Sequence, residues 1–333
     1  MKSVQDVKIG VVGAGAMGQG IAQIAVVAGL EVRLMDIDTA ASARAIVAIG
    51  AMLDKLAIKG KLTLEQAQAA LRRIQPAVAV GALADCDLVV EAIVEKLEVK
   101  RSLFAQLEEV VRDDAVLASN TSSLSITAIA AGCRHPERVA GYHFFNPVPL
   151  MKVVEVVRGL RSSDAIIDWL ASLAQQLGHT AVRCRDMPGF IVNHAGRALN
   201  TEGLRIVQEG VTNESTVDAI VREQMGFRMG PFELLDLTGI DVSHPVMESI
   251  YRQFYDEPRF RPSPITAIRL AGGMLGRKSG SGFYEYDGGN RVSEPVSAQE
   301  RTGWKPSSVW VSSRHPDEAQ RVLDLLQTLD VEV

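Results

Sequence analysis

Ile9-Gly10-Val11-Val12-Gly13-Ala14-Gly15-Ala16-Met17-Gly18 is the stretch on which the architecture turns. It carries G-x-G-x-x-G at Gly13, Gly15 and Gly18, directly after a β-branched run and directly before an apolar helical segment, 16–28. Strand, tight turn and helix follow in that order. The glycines permit the turn and a close backbone approach to a diphosphate, and the free N–H groups of a helix start favour the anion. A glycine triplet alone is weak evidence. Here a second candidate strand, 31–35, runs into Asp36 about twenty residues on, where a carboxylate can accept from the adenosine ribose hydroxyls and repel a 2′-phosphate. Ile37 rather than an arginine comes next, so NAD is expected over NADP. Arg33 precedes Asp36 by three residues and, on a strand, should point to the opposite face.

Outward from this turn, residues 7–143 alternate short β-branched runs with amphipathic helical stretches, the pattern of βαβ units around a doubly wound, mostly parallel Rossmann-type sheet. Strands are expected at 7–12, 31–35, 88–91, 116–119, 138–142, 151–157 and 180–183, with a helix over 164–177. A long helical insertion, 42–74, interrupts the alternation. It breaks at Gly60, restarts at Thr63 with Gln66 spaced for a capping box, and reads as a helix pair projecting from the sheet. The α/β domain closes near 185, and Pro188-Gly189 marks a joint. Residues 186–287 then read as an all-α domain, with helices over 191–209 and 214–224 and no strand signal as far as 270. Beyond, 288–333 begins as a Gly-, Ser- and Pro-rich linker. It continues as Val309-Trp310-Val311, a helix over 316–329, and Val331-Glu332-Val333. This is either the start of a further α/β unit of a longer polypeptide or a short C-terminal extension.

With 333 residues, 47% of them hydrophobic, the chain can bury two cores without staples. A net charge of -5 from 35 basic and 40 acidic residues, intermixed, offers no basic arm for nucleic acid. Cys86, Cys133 and Cys184 are scattered without a CxxC pair, which points to neither a disulfide framework nor a metal site. The N-terminus enters an apolar strand without a leader, and no apolar run approaches bilayer length, so a cytoplasmic protein with no membrane partner is expected.

A hydride acceptor needs a base beside it, and neutral imidazole suits proton removal from an alcohol near neutral pH. His143, at the end of an expected strand in Gly141-Tyr142-His143-Phe144-Phe145-Asn146-Pro147, lies where an open α/β sheet puts its chemistry. His194, after Asn193 at a helix start, is its rival. His135, His179, His244 and His315 stand in loops or beside Pro and Gly and read as solvated. Glu155, on the next expected strand after a Pro-containing turn, could orient the imidazole of His143. Ser119 at a strand end and Asn193 near a helix start read first as caps, with polar groups converging on a reacting oxygen as the alternative.

Taken with further segments, these residues identify a resemblance to the 3-hydroxyacyl-CoA dehydrogenase family over most of 7–286. The segments are Val89-Val90-Glu91-Ala92-Ile93-Val94-Glu95, Ser119-Asn120-Thr121-Ser122-Ser123-Leu124, Pro188-Gly189-Phe190-Ile191-Val192-Asn193, Met229-Gly230-Pro231-Phe232-Glu233-Leu234 and Gly276-Arg277-Lys278-Ser279-Gly280-Ser281-Gly282-Phe283-Tyr284. The resemblance implies oxidation of an L-3-hydroxyacyl-CoA to the 3-ketoacyl-CoA by NAD, with His143 as base and Glu155 as its partner. Ser119 and Asn193 would bracket the reacting oxygen and thioester carbonyl. It also implies that Gly13, Gly15, Ala16, Met17, Gly18, Asp36, Ala92, Glu95, Lys100, Ser119 and Asn146 line the cofactor. Lys59 on the insertion would meet the CoA, although a lysine on an exposed helix is more often simply solvated. A homodimer through the helical domain is implied as well. His194 stands where the family commonly has arginine. The wording Asn193-His194-Ala195-Gly196-Arg197 and Phe227-Arg228-Met229-Gly230 is similar to longer bacterial members, some of which oxidise 3-hydroxyadipyl-CoA in aromatic-acid breakdown. The substrate is thus left between a short-chain and a dicarboxyl acyl-CoA. Two alternatives stand beside this reading: a dinucleotide-binding protein without turnover, and a β-hydroxyacid dehydrogenase of the phosphogluconate type. The second relies on a lysine near the hinge, where this chain has Asn193.

Overall fold

The structure, a computed structural model, describes residues 3–292, 308–312 and 314–328. An eight-stranded sheet with the order β3-β2-β1-β4-β5-β6-β7-β8 forms the first lobe. β1 (Lys8–Val12) lies near its middle and is joined to β2 (Glu31–Met35) by α1 (Ala16–Val27). β4 (Leu88–Glu91) flanks β1 on the other side, followed outward by β5 (Val116–Ser119) and β6 (Val139–Phe144). All these pairs are parallel. β7 (Val153–Arg158) then turns back antiparallel to β6, and β8 (Thr180–Arg185) closes that edge parallel to β7. Strands buried on both faces favour apolar side chains, which is why β1, β4 and β5 are mostly Val, Leu, Ile and Ala, with the polar Glu91 and Ser119 only at the carboxyl ends of β4 and β5. The strand order reverses between β1 and β4, and the crevice beyond their carboxyl ends is where such a sheet binds its ligand.

The insertion differs from its expected form. Its helices are α2 (Thr39–Ile58) and α3 (Leu64–Arg72), and the reciprocal Thr63–Gln66 capping box is present. They do not project freely: Ala45, Ile49, Leu53, Ala67 and Ala70 are buried in the same core as α1 and β2. The segment expected to end the insertion instead enters β3 (Ile74–Ala77), paired with β2. Pro76 masks this strand in the sequence, because proline cannot donate to a ladder, but an edge position tolerates it.

Helices α4 (Leu97–Val110), α5 (Ile126–Ala130) and α6 (Asp164–Gln176) cover the sheet. The second lobe is helical: α7 (Val192–Gln208), α8 (Glu214–Glu223), α9 (Pro231–Thr238), α10 (Ile240–Gln253) and α11 (Pro264–Ala271). A strap through Gly276–Tyr286 ties it together. The buried Asp236 carboxylate accepts from Phe283 N, Tyr284 N and the Tyr286 hydroxyl, and Asp218 accepts from Phe232 N, Glu233 N and the Tyr284 hydroxyl. The strap ends in a small hairpin, β9 (Tyr286–Asp287) and β10 (Asn290–Arg291). Farther on, α12 (Pro316–Thr328) matches the expected helix, whereas 309–311 form no strand, and 331–333 lie outside the described residues. Among the described residues no helix is long and apolar enough to cross a membrane.

Candidate active site

The glycine turn fits a dinucleotide diphosphate. A Cβ on Gly18 would lie 1.8 Å from Gly13 O, and one on Gly13 would lie 2.4 Å from Ala92 O, so only glycine permits the turn to close against β4. Gly15, by contrast, faces open space, and no side chain caps α1, whose first exposed residue is Ala16, with Met17 and Gly18 behind it. Free helix amides beside an open glycine are the donor set that a diphosphate requires. Asp36 directly follows β2 at this mouth, its carboxylate accepting from Ala14 N at 2.7 Å and Asp38 N at 3.0 Å. Ile37 beside it is exposed, and the guanidinium of Arg33 is turned to Gln75 on β3, so it does not stand beside Asp36 as a 2′-phosphate partner.

At the other edge of the crevice, His143 and Glu155 are direct cross-strand partners on β6 and β7. His143 Nδ1 lies 2.7 Å from Glu155 Oε2, both side chains buried. The second oxygen, Oε1, accepts from Ile191 N and Val192 N, each at 2.8 Å, at the start of α7. The carboxylate therefore joins the imidazole to the first turn of the second lobe. Phe145 and Phe190 pack on the ring, with centroids at 4.5 and 5.8 Å. Phe190 holds this place with a positive φ of 49°, following Gly189 at 76°. The strand β6 extends further than expected, so His143 sits within it, one residue before its end. Phe144 N donates to Asn120 Oδ1 at 2.9 Å, which pins this end of the strand to the loop after β5. Asn146 follows in the exposed turn after Phe145, joined to Pro147 by a cis peptide.

Other candidate residues lie differently. Ser119 is wholly buried; its hydroxyl donates to Glu91 Oε2 at 2.6 Å and accepts from Thr121 N at 3.2 Å. It does not face the crevice. Ser122, three residues on and partly exposed, is the serine beside Asn193, whose Nδ2 is 3.5 Å from Ser122 O. Lys100, expected at the cofactor, is buried between Glu91 at 2.5 Å and Glu95 at 3.1 Å. Burial opposes ionisation of Glu95, but the Lys100 ammonium and the hydroxyls of Thr121 and Ser123 outweigh it and hold its carboxyl below the usual range. Lys59 lies exposed at the end of α2. His194 is exposed and packs on Phe254 and Phe260, at 5.5 and 5.3 Å, away from the His143–Glu155 pair. Two histidines read as solvated are in fact buried. His179 faces Leu177 O and Val148 O, both at 3.0 Å, and His244 bonds Thr266 Oγ1. Their neighbours in space come from β6–β7 and α11, which a local reading could not supply.

A Rossmann sheet, a glycine cradle with an acid at the ribose position, and a helical second lobe closing on the crevice define a nicotinamide-dinucleotide oxidoreductase. The chain belongs to the 3-hydroxyacyl-CoA dehydrogenase family: the NAD binding domain of 3-hydroxyacyl-CoA dehydrogenase matches residues 8–187, and the C-terminal domain matches 189–286. It is 47% identical over 278 residues to the 3-hydroxyadipyl-CoA dehydrogenase of Escherichia coli, covering 84% of this chain and 58% of that protein. It is 42% identical over 279 residues to a probable 3-hydroxybutyryl-CoA dehydrogenase of Deinococcus radiodurans, covering 84% of this chain and 100% of that one. Among solved structures, a 3-hydroxybutyryl-CoA dehydrogenase from Escherichia coli superposes with a TM-score of 0.82 at 42% identity, over 93% of this chain and 63% of the other. The (S)-3-hydroxybutyryl-CoA dehydrogenase of Ralstonia eutropha gives 0.81 at 37% identity, over 85% and 99%. The chain thus spans 58% of the Escherichia coli 3-hydroxyadipyl-CoA dehydrogenase and the whole of the Deinococcus relative. NAD as cofactor agrees with the domain that matches 8–187.

Proposed function

We propose that this protein interconverts L-3-hydroxyacyl-CoA and 3-ketoacyl-CoA with NAD, and the observation that carries the reading is the buried His143–Glu155 pair at the carboxyl end of the sheet. NAD, when bound, supplies the hydride acceptor. Glu155 engages His143 through Nδ1, so Nε2 is the nitrogen left to take the proton of the 3-hydroxyl. The carboxylate then stabilises the imidazolium, while the amides of Ile191 and Val192 keep it from rotating away. Ser122 and Asn193, brought side by side across the two lobes, are the polar groups suited to hold the substrate's oxygens. Asp36 reads the adenosine ribose, and Asn146 lies at the cofactor's end of the His143 loop. Glu95 stays at this surface, and Lys100 acts beneath it.

For the substrate, the relatives' names span 3-hydroxybutyryl- and 3-hydroxyadipyl-CoA. A homodimer through the helical lobe, in the cytoplasm, completes the reading. Val211, Ile220, Phe227, Val242 and Ile268 of that lobe are exposed apolar side chains that a second copy would cover. The test follows NADH absorbance with acetoacetyl-CoA and 3-ketoadipyl-CoA. Turnover of at least one is expected, and failure on both with NADH bound would refute the activity.

A further inference from the structure

Glu91, the last residue of β4, is the wholly buried acid that the proposed chemistry leaves unused. Its Oε1 accepts from Lys100 Nζ at 2.5 Å and Ile93 N at 2.7 Å, and its Oε2 accepts from Ser119 Oγ at 2.6 Å. Lys100, itself 1% exposed, also reaches Glu95 Oε2 at 3.1 Å. Glu95 Oε1 in turn gathers the turn after β5: Thr121 Oγ1 at 2.5 Å, Ser122 N at 3.0 Å, Ser123 N at 3.2 Å and Ser123 Oγ at 2.9 Å. The carbonyls of this turn meet the second lobe, Ser122 O with Asn193 Nδ2 at 3.5 Å and Ser123 O with Gln253 Nε2 at 3.1 Å. Charge-assisted bonds therefore run without a break from the middle of the sheet to the interface between lobes.

We propose that Glu91 is a positioning residue: through Lys100 and Glu95 it fixes the Thr121–Ser123 turn, and with it the seat of Asn193 beside the reacting centre. It touches neither substrate nor cofactor. A buried ammonium held by two carboxylates is costlier than apolar packing would be, so stability alone does not account for it. Geometry does: Lys100 holds the Glu95 carboxylate in place only while Glu91 anchors the ammonium from the other side. Without that anchor, Lys100 draws toward Glu95, and the turn loses its common acceptor. The inference rests on the dehydrogenase reading of the same site for its kinetic consequence, and on the hydrogen bonds alone for its structural one.

The test is Glu91→Gln in the full chain, read by amide hydrogen exchange and by turnover of acetoacetyl-CoA. The Ser122 and Ser123 amides should exchange at least tenfold faster while those of Ile9–Val12 stay as in the wild type. Turnover should fall at least tenfold. In an Asn193→Ala background the same substitution should cost under threefold, because the seat it controls is already lost. Wild-type exchange at Ser122 and Ser123, or losses that simply multiply in the double variant, overturn the proposal. Because E91Q leaves the buried ammonium with Glu95 alone and so risks unfolding, E91Q/K100M, which removes both charges, is the second variant. It should melt near the wild type yet keep fast exchange and low turnover, and recovery of both to wild-type values would also overturn the proposal. A wild type that binds NADH but reduces no 3-ketoacyl-CoA refutes the activity instead and leaves the exchange result to decide the role of Glu91.

Discussion

At the scale of single residues, the cross-strand pairing of His143 with Glu155 carries the heaviest consequence. Replacing His143 by Gln removes the proton acceptor and keeps the shape, so turnover should fall by about 10³-fold while NADH, titrated by its fluorescence, binds within a few-fold of normal. Glu155→Ala has a dual effect. It frees the imidazole and also strips the Ile191 and Val192 amides of their buried acceptor, so calorimetry should find a loss of about 3–5 kcal/mol in stability alongside a turnover loss like that of His143→Gln. The contact between His143 and Glu155 was legible before any coordinates, because the two flank one Pro-containing turn between expected strands. The serine was not. Ser119 and Ser122 stand in the same run, and only three-dimensional placement separates one whose hydroxyl is spent on Glu91 from one that sits against Asn193. Ser122→Ala should therefore raise KM for the acyl-CoA in steady-state assays, whereas Ser119→Ala should act mainly on the melting temperature.

Among the elements, the glycine turn was readable in full and β3 was not. The turn announces itself because backbone sterics leave glycine as the only solution: with a Cβ on Gly18 lying 1.8 Å from Gly13 O, Gly18→Ala cannot keep the loop closed. That variant should lose NADH binding in a direct titration even where circular dichroism reports a folded sheet. β3 escaped because one proline and two exposed positions in four residues leave almost no strand pattern, and its pairing with β2 is a long-range property. The insertion followed the same logic. Its capping box at Thr63 and its break at Gly60 are local and were correct, while its start at Thr39 rather than 42 and its docking onto α1 and β2 were not read, the docking because it depends on which face meets the core.

For the whole molecule, two buried acids in separate lobes should respond to pH in opposite directions. Glu108 on α4 is disfavoured as an anion by burial, but the amides of Arg134 and His135, with Arg138 and Arg134, outweigh that and lower its pKa from 4.5. Its stabilisation is present above that value and is lost as pH falls through the depressed one. Asp236 on α9 is raised from 3.8, burial outweighing the amides of Phe283 and Tyr284 and the Tyr286 hydroxyl. Its contribution is fullest below that value and is lost as pH rises through the folded one. Melting temperatures of the wild type, Glu108→Gln and Asp236→Asn from pH 3 to 7 should show the first gap narrowing on acidification and the second widening. The order of the two lobes along the chain was plain from the switch between strand and helix patterns. How they lock together was not, because the contacts between them, Gln253 with Ser123 and Glu155 with the start of α7, join residues 36 to 130 positions apart.

The grip of Glu155 on the first amides of α7 means that the proposed proton acceptor is assembled by two lobes rather than owned by one. A lobe swung outward would take away both backbone donors and leave the carboxylate tethered only to the imidazole it is meant to steady. On the proposed reading, any separation of the lobes would leave the base less firmly oriented and their docking would restore it, so proton removal would belong to the docked arrangement.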